Sequence, residues 1–244
     1  MRVLGHVSEI WRYPVSSVGG ERLTSVKVGP GGVVADRLWG VVDTRDGEVA
    51  APEKRRHWRS LPNLSSRMGE AGPEIGSGDE PWLPADSAEA RSLLSAHLGF
   101  PAALMPHTPH ETTMPGHVAP RYARADLHLV TTASMRKLAD LLGNPGEIDS
   151  RRFRPNLVVE TGHEFDGFAE QQLVGSRLTI GEVTIAISEP CARCSFTALA
   201  QGELSFEPAV LHQIAKHGDG GFGVLCSVES AGSIRIGDEV RFPA

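Results

Sequence analysis

Apolar and β-branched residues occur here in short runs, and nearly every run is closed by glycine or proline. HVSEIWRYPV is broadly alternating and stops at Pro14, which has no amide to donate into a central ladder. RLTSVKV alternates and ends in Gly29-Pro30-Gly31-Gly32, and RLWGVVD is closed by the Asp46-Gly47 turn. Strands so closely spaced predict a meander or a barrel. The 27 Gly and 17 Pro stand beside only 6% aromatic residues and fall in no low-complexity tract, so they read as turn makers between many short strands.

The later segments extend the pattern. DLHLVTT predicts a buried strand and NLVVE another, while RLTIGEVTIAIS predicts a hairpin about Gly181-Glu182. Leu178, Ile180, Val183, Ile185 and Ile187 of that hairpin alternate toward a core. GFGVLCSVES and SIRIGDEVRF predict a closing hairpin. A first helix is expected after Asp86 as N-cap, with Glu89 completing a capping box, Leu93, Leu94, His97 and Leu98 at helical spacing, and Gly99 as the stop. ASMRKLADLLG predicts a second, ending at Gly143, and SFEPAVLHQIAKHG a third, with Ser205 near its start and Gly218 at its end. Residues 51–85, with the basic stretch KRRHWR, show no assignable element. The expected class is α+β, mainly β, a barrel-like fold with about three helices.

A chain of 244 residues suits one or two domains. Its 24 Lys plus Arg against 30 Asp plus Glu give a net charge of −6, which argues against a bulk nucleic-acid or anionic-membrane binder. No apolar run reaches the ~18 residues of a membrane span. MRVLGHVSEI lacks the pattern of a secretion signal, and 3 Cys are too few for a disulfide scaffold, so the expected location is the reducing cytoplasm.

Candidate chemistry falls in four places. His107, His110 and His117 lie between prolines from Pro101 to Pro120; a metal site is one reading, but the prolines keep them off a common helix face and favour a solvated irregular loop. Cys191-Ala192-Arg193-Cys194 is a CxxC with only Cys226 left over, which excludes a closed site of four cysteines. SFTALA is no clear helix start, against a thioredoxin-like pair. A buried inert pair stays open, as does a reactive or metal-bound thiolate favoured by the cation of Arg193. Arg151, Arg152 and Arg154 precede Pro155-Asn156 at a strand entrance and suit a phosphate or carboxylate, or plain solvated charge. YPVSS and ADRLW place polar residues at strand ends.

The ordered set YPVSS, ADRLW, RFRPN, PCARC and a GxIRIGD-like close resembles the MOSC family, in the form that carries an N-terminal β-barrel and includes the mitochondrial amidoxime-reducing component. The resemblance spans nearly the whole chain. It implies a smaller N-terminal barrel subdomain over residues 1–105 and a MOSC domain over 106–244. It implies the pyranopterin molybdenum cofactor, with Cys194 as catalytic metal ligand and Cys191 in support. Ser16, Ser17, Arg37, Thr131, Arg152, Arg154, Asn156, Ala192 and Arg193 would hold or line the cofactor. The implied activity is reduction of N-oxygenated, N-hydroxylated compounds. Three Cys cannot hold a separate [2Fe–2S] cluster, so electrons would come from another protein, a ferredoxin- or flavin-type reductase.

Several positions depart from the family pattern. Ser16 replaces a Lys, SFTALAQGE replaces a TTVDP-like segment, Gln171-Gln172-Leu173 stands where an acidic-Trp pair is usual, and Leu225 replaces an aromatic. Two other roles stay open beside the oxidoreductase. One is a sulfur carrier using a Cys persulfide; the other is a repurposed barrel without molybdenum, which Ser16 favours.

Overall fold

The strand Arg2–Arg12 is paired along both edges, and this closes the fold. Its first half pairs with Glu239–Phe242, its centre with Leu157–Thr161 and its end with Glu21–Leu23, all antiparallel. In the computed structural model, which describes residues 1–78, 81–108, 114–121, 125–144 and 148–243, seven strands form a closed barrel. From Leu157–Thr161 the order runs through Leu127–Thr131, Gly221–Ser230, Val183–Ala192, Arg177–Ile180 and Glu239–Phe242 to Arg2–Arg12, which returns to Leu157–Thr161. Leu157–Thr161 and Leu127–Thr131 are parallel neighbours. Closure leaves no free edge among these seven.

Alternation fills the barrel. Leu4, Val7, Ile10, Leu129, Ile185 and Val240 are among its buried core, each contributing roughly 1.5–3 kcal/mol of transfer free energy. A second core gathers around Trp58, Leu61, Leu64, Ile75 and Leu94. Two small sheets enclose it, one of Trp39–Asp43 with Ala102–Pro106, the other of Ser65–Met68, Pro73–Gly76 and Leu83–Pro84. Helix α1 (Ala88–Leu98) covers it. Helices α2 (Thr132–Leu141) and α3 (Pro208–His217) share a third apolar cluster with Phe153 and Phe222 on the outside of the large barrel. No helix among the described residues is long and apolar enough to cross a membrane.

The structure corrects several local expectations. Of the two expectations for the early strands the barrel holds, through Arg2–Arg12, and the meander does not: Ser25–Gly29 pairs with Gly232–Arg235, and Trp39–Asp43 with Ala102–Pro106. Gly221–Ser230 and the segment after it form no hairpin, since their partners are Leu127–Thr131 with Val183–Ala192, and Ser25–Gly29. Beside these corrections, hydrogen bonding along Arg2–Arg12 ties the first 105 residues to the rest of the chain. Pro190 lies within a strand, where register shifts on both sides let a ring without an amide stand opposite Val224. Helix α1 is capped by Ser87, whose side chain accepts from the Ala90 amide, and not by Asp86.

Candidate functional site

The turns around one cavity force four non-glycine residues into the left-handed region, Ser17 (φ 67°), Ala35 (φ 65°), Arg37 (φ 50°) and Arg154 (φ 53°). Such a backbone costs about 1–3 kcal/mol per residue and persists where surrounding contacts over-determine it. Here those contacts are visible. The Tyr13 amide donates to Asp36 Oδ1 at 2.7 Å, the Arg37 amide to the Tyr13 carbonyl at 2.7 Å and the Ser16 amide to the Trp39 carbonyl at 2.8 Å. Ser17, Arg37 and Arg154 line that cavity, of about 320 Å³.

Arginines dominate one wall. Arg37 pairs with the buried Asp36 and donates through Nη2 to the Arg154 carbonyl at 2.8 Å. Arg154 is half-buried, lies 4.2 Å from the Tyr13 ring centroid, and donates through Nη1 to the Val18 carbonyl. Its Nη2 is buried and has no partner among the described residues. Burial, and then repulsion from Arg37, lowers its pKa to about 10, so it keeps its charge at neutral pH. Asn156 is an inter-strand clip: Oδ1 accepts from the His128 amide at 3.1 Å and Nδ2 donates to the Trp11 carbonyl at 3.3 Å.

The same cavity carries sulfur. Val183–Ala192 delivers Cys191, and a short 3-10 turn (Ser195–Ala198) begins just after the exposed Cys194. Arg193 spans Cys191 and Phe153, donating through Nη1 to Sγ at 2.9 Å and through Nη2 to the Phe153 carbonyl at 2.8 Å. Its Nε is also buried and unpartnered among the described residues. Burial raises the Cys191 thiol, but His128 and Arg193 outweigh it and lower the pKa to about 6. Cys226 sits in the barrel core, where burial pushes it up to about 12. With Cys191 half-buried and Cys194 exposed, the two Cys of the motif are not a buried core pair.

A labelling experiment reads this contrast. With Cys194 replaced by Ser, alkylation of Cys191 by iodoacetamide is expected to be half-maximal near pH 6, with Cys226 unlabelled in the folded protein. Arg193→Ala should move that midpoint toward the ordinary thiol value of about 8.5. The thiolate stabilises the fold fully above the unfolded value, and that contribution is lost as pH falls through about 6. A midpoint near the ordinary value in the Cys194→Ser protein would contradict the assignment.

Of the residues singled out on the sequence, Ser16, Ser17, Arg37, Arg154, Asn156, Ala192, Arg193 and Cys194 line the cavity, while Thr131 and Arg152 do not. Thr131 is wholly buried, caps α2 by accepting from the Ser134 amide at 3.2 Å, and donates to Glu170, whose carboxyl is raised by burial. Arg152 turns the other way, to the Leu199 carbonyl at 3.3 Å and the Ser205 carbonyl at 2.9 Å. His107, His128, Glu53 and Arg121 also line the cavity and were not assigned to it from the sequence. His107 lies 3.1 Å from Ser16 Oγ through Nε2 and 3.2 Å from the Val118 carbonyl through Nδ1, and His117 faces the Pro115 carbonyl. His110 lies outside the described residues. No group of three potential metal ligands occurs among the described His, Cys, Asp and Glu side chains.

Comparison with known proteins places this geometry in context. The family model described as the MOSC domain matches residues 111–241, and that of the MOSC N-terminal beta barrel domain matches 4–65. Molybdenum cofactor sulfurase of Drosophila grimshawi is 33% identical over 106 residues, 43% of this chain and 13% of that protein. The Drosophila mojavensis enzyme is 27% identical over 144 residues, 57% of this chain and 18% of that one. The chain thus spans less than a fifth of these relatives. The solved structure of the YuaD protein from Bacillus subtilis superposes with a TM-score of 0.54 at 14% identity, covering 99% of this chain and 97% of that one, which shows a shared fold.

Proposed function

The chain belongs to the MOSC domain family, and from that premise we propose that its cavity holds the molybdenum cofactor and reduces N-oxygenated compounds with electrons from a separate protein. One observation carries the reading: Arg154, with a buried Nη2 that has no partner among the described residues, and the exposed Cys194 thiol share one cavity. A buried guanidinium with a spare donor suits a terminal phosphate, and a thiolate suits a soft metal. The residues present fit such a group. Arg37 and Arg154 would hold the phosphate, Ser16 and Ser17 offer hydroxyls, Ala192 and Arg193 would line the pterin, and Cys194 would ligate the metal.

When bound, the cofactor supplies a metal that accepts the substrate oxygen and passes on two electrons. The protein supplies the rest. Asn156 ties the first strand to the strand bearing His128 and so keeps the arginine wall in register. Arg193 holds Cys191 Sγ, and that thiol and the His128 imidazole stand on the wall as groups able to hold a proton. Overall, an N-hydroxyl compound takes two electrons and two protons, the N–O bond breaks, an N–H bond forms, and oxygen leaves as water. The donor, a ferredoxin- or flavin-type protein, is oxidised by the same two electrons. The cytoplasm is the location this reading takes.

The test is turnover of an N-hydroxylated base with dithionite-reduced viologen as donor. The cofactor-loaded chain should reduce it, and Cys194→Ser should lower turnover by at least about 100-fold. Undiminished turnover in that variant would overturn the assignment. The sulfur-carrier role is supported by a different feature, the Cys191 thiolate held by Arg193. Its mark would be one extra sulfur on Cys191 or Cys194 in a protein free of molybdenum, seen by mass spectrometry. A barrel without the cofactor draws its support from Ser16, which meets His107 where the family resemblance expects a Lys.

A further inference from the structure

We propose that the exposed basic run from Lys54 to Arg59 is the docking surface for an acidic, electron-carrying protein; this rests on the reductase reading of the cavity. Four of the chain's 24 Lys and Arg fall in these six residues, although the whole chain carries −6. Lys54, Arg55, Arg56 and Arg59 are all exposed. Arg55 shares Glu48 at 3.3 Å, whereas Lys54, Arg56 and Arg59 make no ion pair among the described residues. With Arg121, the patch sets five cations against three nearby carboxylates, Asp46, Glu48 and Glu53.

Its position gives the charge a purpose. Glu53, the residue before the run, lines the cavity, and its carbonyl accepts from Ser195 Oγ at 2.9 Å. Ser195 directly follows Cys194, so the basic surface begins one hydrogen bond from the proposed metal ligand. The surface is also preformed. The Lys54 and Arg55 amides donate to the Ala51 carbonyl at 2.9 and 2.8 Å, and Trp58 is wholly buried in the second core and donates through Nε1 to Glu48 at 3.2 Å. A rigid patch of one sign on an oppositely charged protein steers and orients a partner of complementary charge. Four cations on an otherwise anionic chain suit a compact acidic protein better than an extended polyanion or a lipid surface, where the remaining charge would repel.

The test compares wild type, Lys54→Glu/Arg56→Glu/Arg59→Glu, and Lys27→Glu/Arg235→Glu as a control on a separate sheet, all cofactor-loaded. The probe is a reduced plant-type ferredoxin, an acidic one-electron carrier that gives up one electron per molecule, two molecules per turnover. Wild-type affinity should fall at least about tenfold between ~50 and ~300 mM salt. The triple variant should lose at least about tenfold in affinity and in ferredoxin-driven turnover at the lower salt. The control variant, and the viologen-driven rate of all three proteins, should not change. Equal ferredoxin binding by wild type and triple variant overturns the proposal. So does wild-type binding of phosphatidylserine vesicles or single-stranded RNA with none of ferredoxin. Salt-dependent, patch-dependent ferredoxin binding without viologen-driven turnover supports the surface and overturns the reductase reading beneath it.

Discussion

Replacing Arg154 by Met is expected to leave the cofactor-free protein as stable as before, or about 1 kcal/mol more stable, while molybdenum and pterin content falls at least about tenfold. The opposite signs follow from what holds this side chain. The side chain is half-buried, has a buried Nη2 without a partner among the described residues, and is repelled by Arg37. Met keeps a similar volume beside Tyr13 and Phe196, and the left-handed backbone (φ 53°) strains either residue alike. What is lost is one hydrogen bond to the Val18 carbonyl, worth about 1 kcal/mol, and the cation–π contacts with Tyr13 and Phe196, worth about 0.5–2 kcal/mol. Removing the desolvation cost of a buried ion is neutral to stabilising by about 1–4 kcal/mol. Urea unfolding and elemental analysis read the two halves. A destabilised variant that keeps its molybdenum would contradict both, because Arg154 would then be a structural residue with no role toward the phosphate.

Gly32→Ala should be among the most damaging single substitutions, costing more than about 3 kcal/mol. A Cβ at Gly32 would stand 1.8 Å from the Asp126 carbonyl oxygen, and the residue has φ +89°. The crowding atom is backbone, at the start of the central strand Leu127–Thr131, so nothing flexible can yield. Gly47→Ala is the matched control, because Gly47 has φ +78° with nothing within 4 Å of its Cβ position. It should cost only about 1 kcal/mol, the price of the dihedral alone. Equal losses for the two, measured by urea unfolding, would show that close approach at Gly32 is not what requires glycine there.

Gly32 also marks how far the sequence could be read. A Gly-Pro-Gly-Gly turn is a local signal and was legible; that its last glycine meets the carbonyl of Asp126 is long-range and was not. The same holds for the strands. Alternation located Arg177–Ile180 and its partner hairpin strand, because their pairing is local. It misassigned the chain end as a hairpin, because Gly232–Arg235 pairs with Ser25–Gly29, two hundred residues away in sequence. Register of that kind is chosen by barrel closure and leaves no trace in a single strand's pattern.

The candidate site divides along similar lines. Arg37, Arg154 and Cys194 were legible through ordered motifs, and the fold brings them to one cavity. Thr131 and Arg152 sit beside motif residues yet point elsewhere, one into a helix cap and the other toward two carbonyls. Side-chain direction at a strand-to-helix junction or within a 3-10 turn is not set by proximity in sequence. His128 was hidden inside an apolar strand, and the positive φ values of Ser17, Arg37 and Arg154 carry no residue-type signal at all. The basic run at Lys54–Arg59 was visible as charge but had no role until the Glu53–Ser195 hydrogen bond joined it to the cavity.

The most direct measurement is molybdenum per chain, by elemental analysis with release of the oxidised pterin fluorophore, in wild type, Cys194→Ser and Cys191→Ser purified from a host that makes the cofactor. The expected result is about one molybdenum per chain in wild type, near zero in Cys194→Ser and retention in Cys191→Ser, since the proposed assignment makes Cys194 the single thiolate that would anchor the metal. Wild type without molybdenum, or Cys194→Ser with a full complement, would contradict the assignment of this cavity.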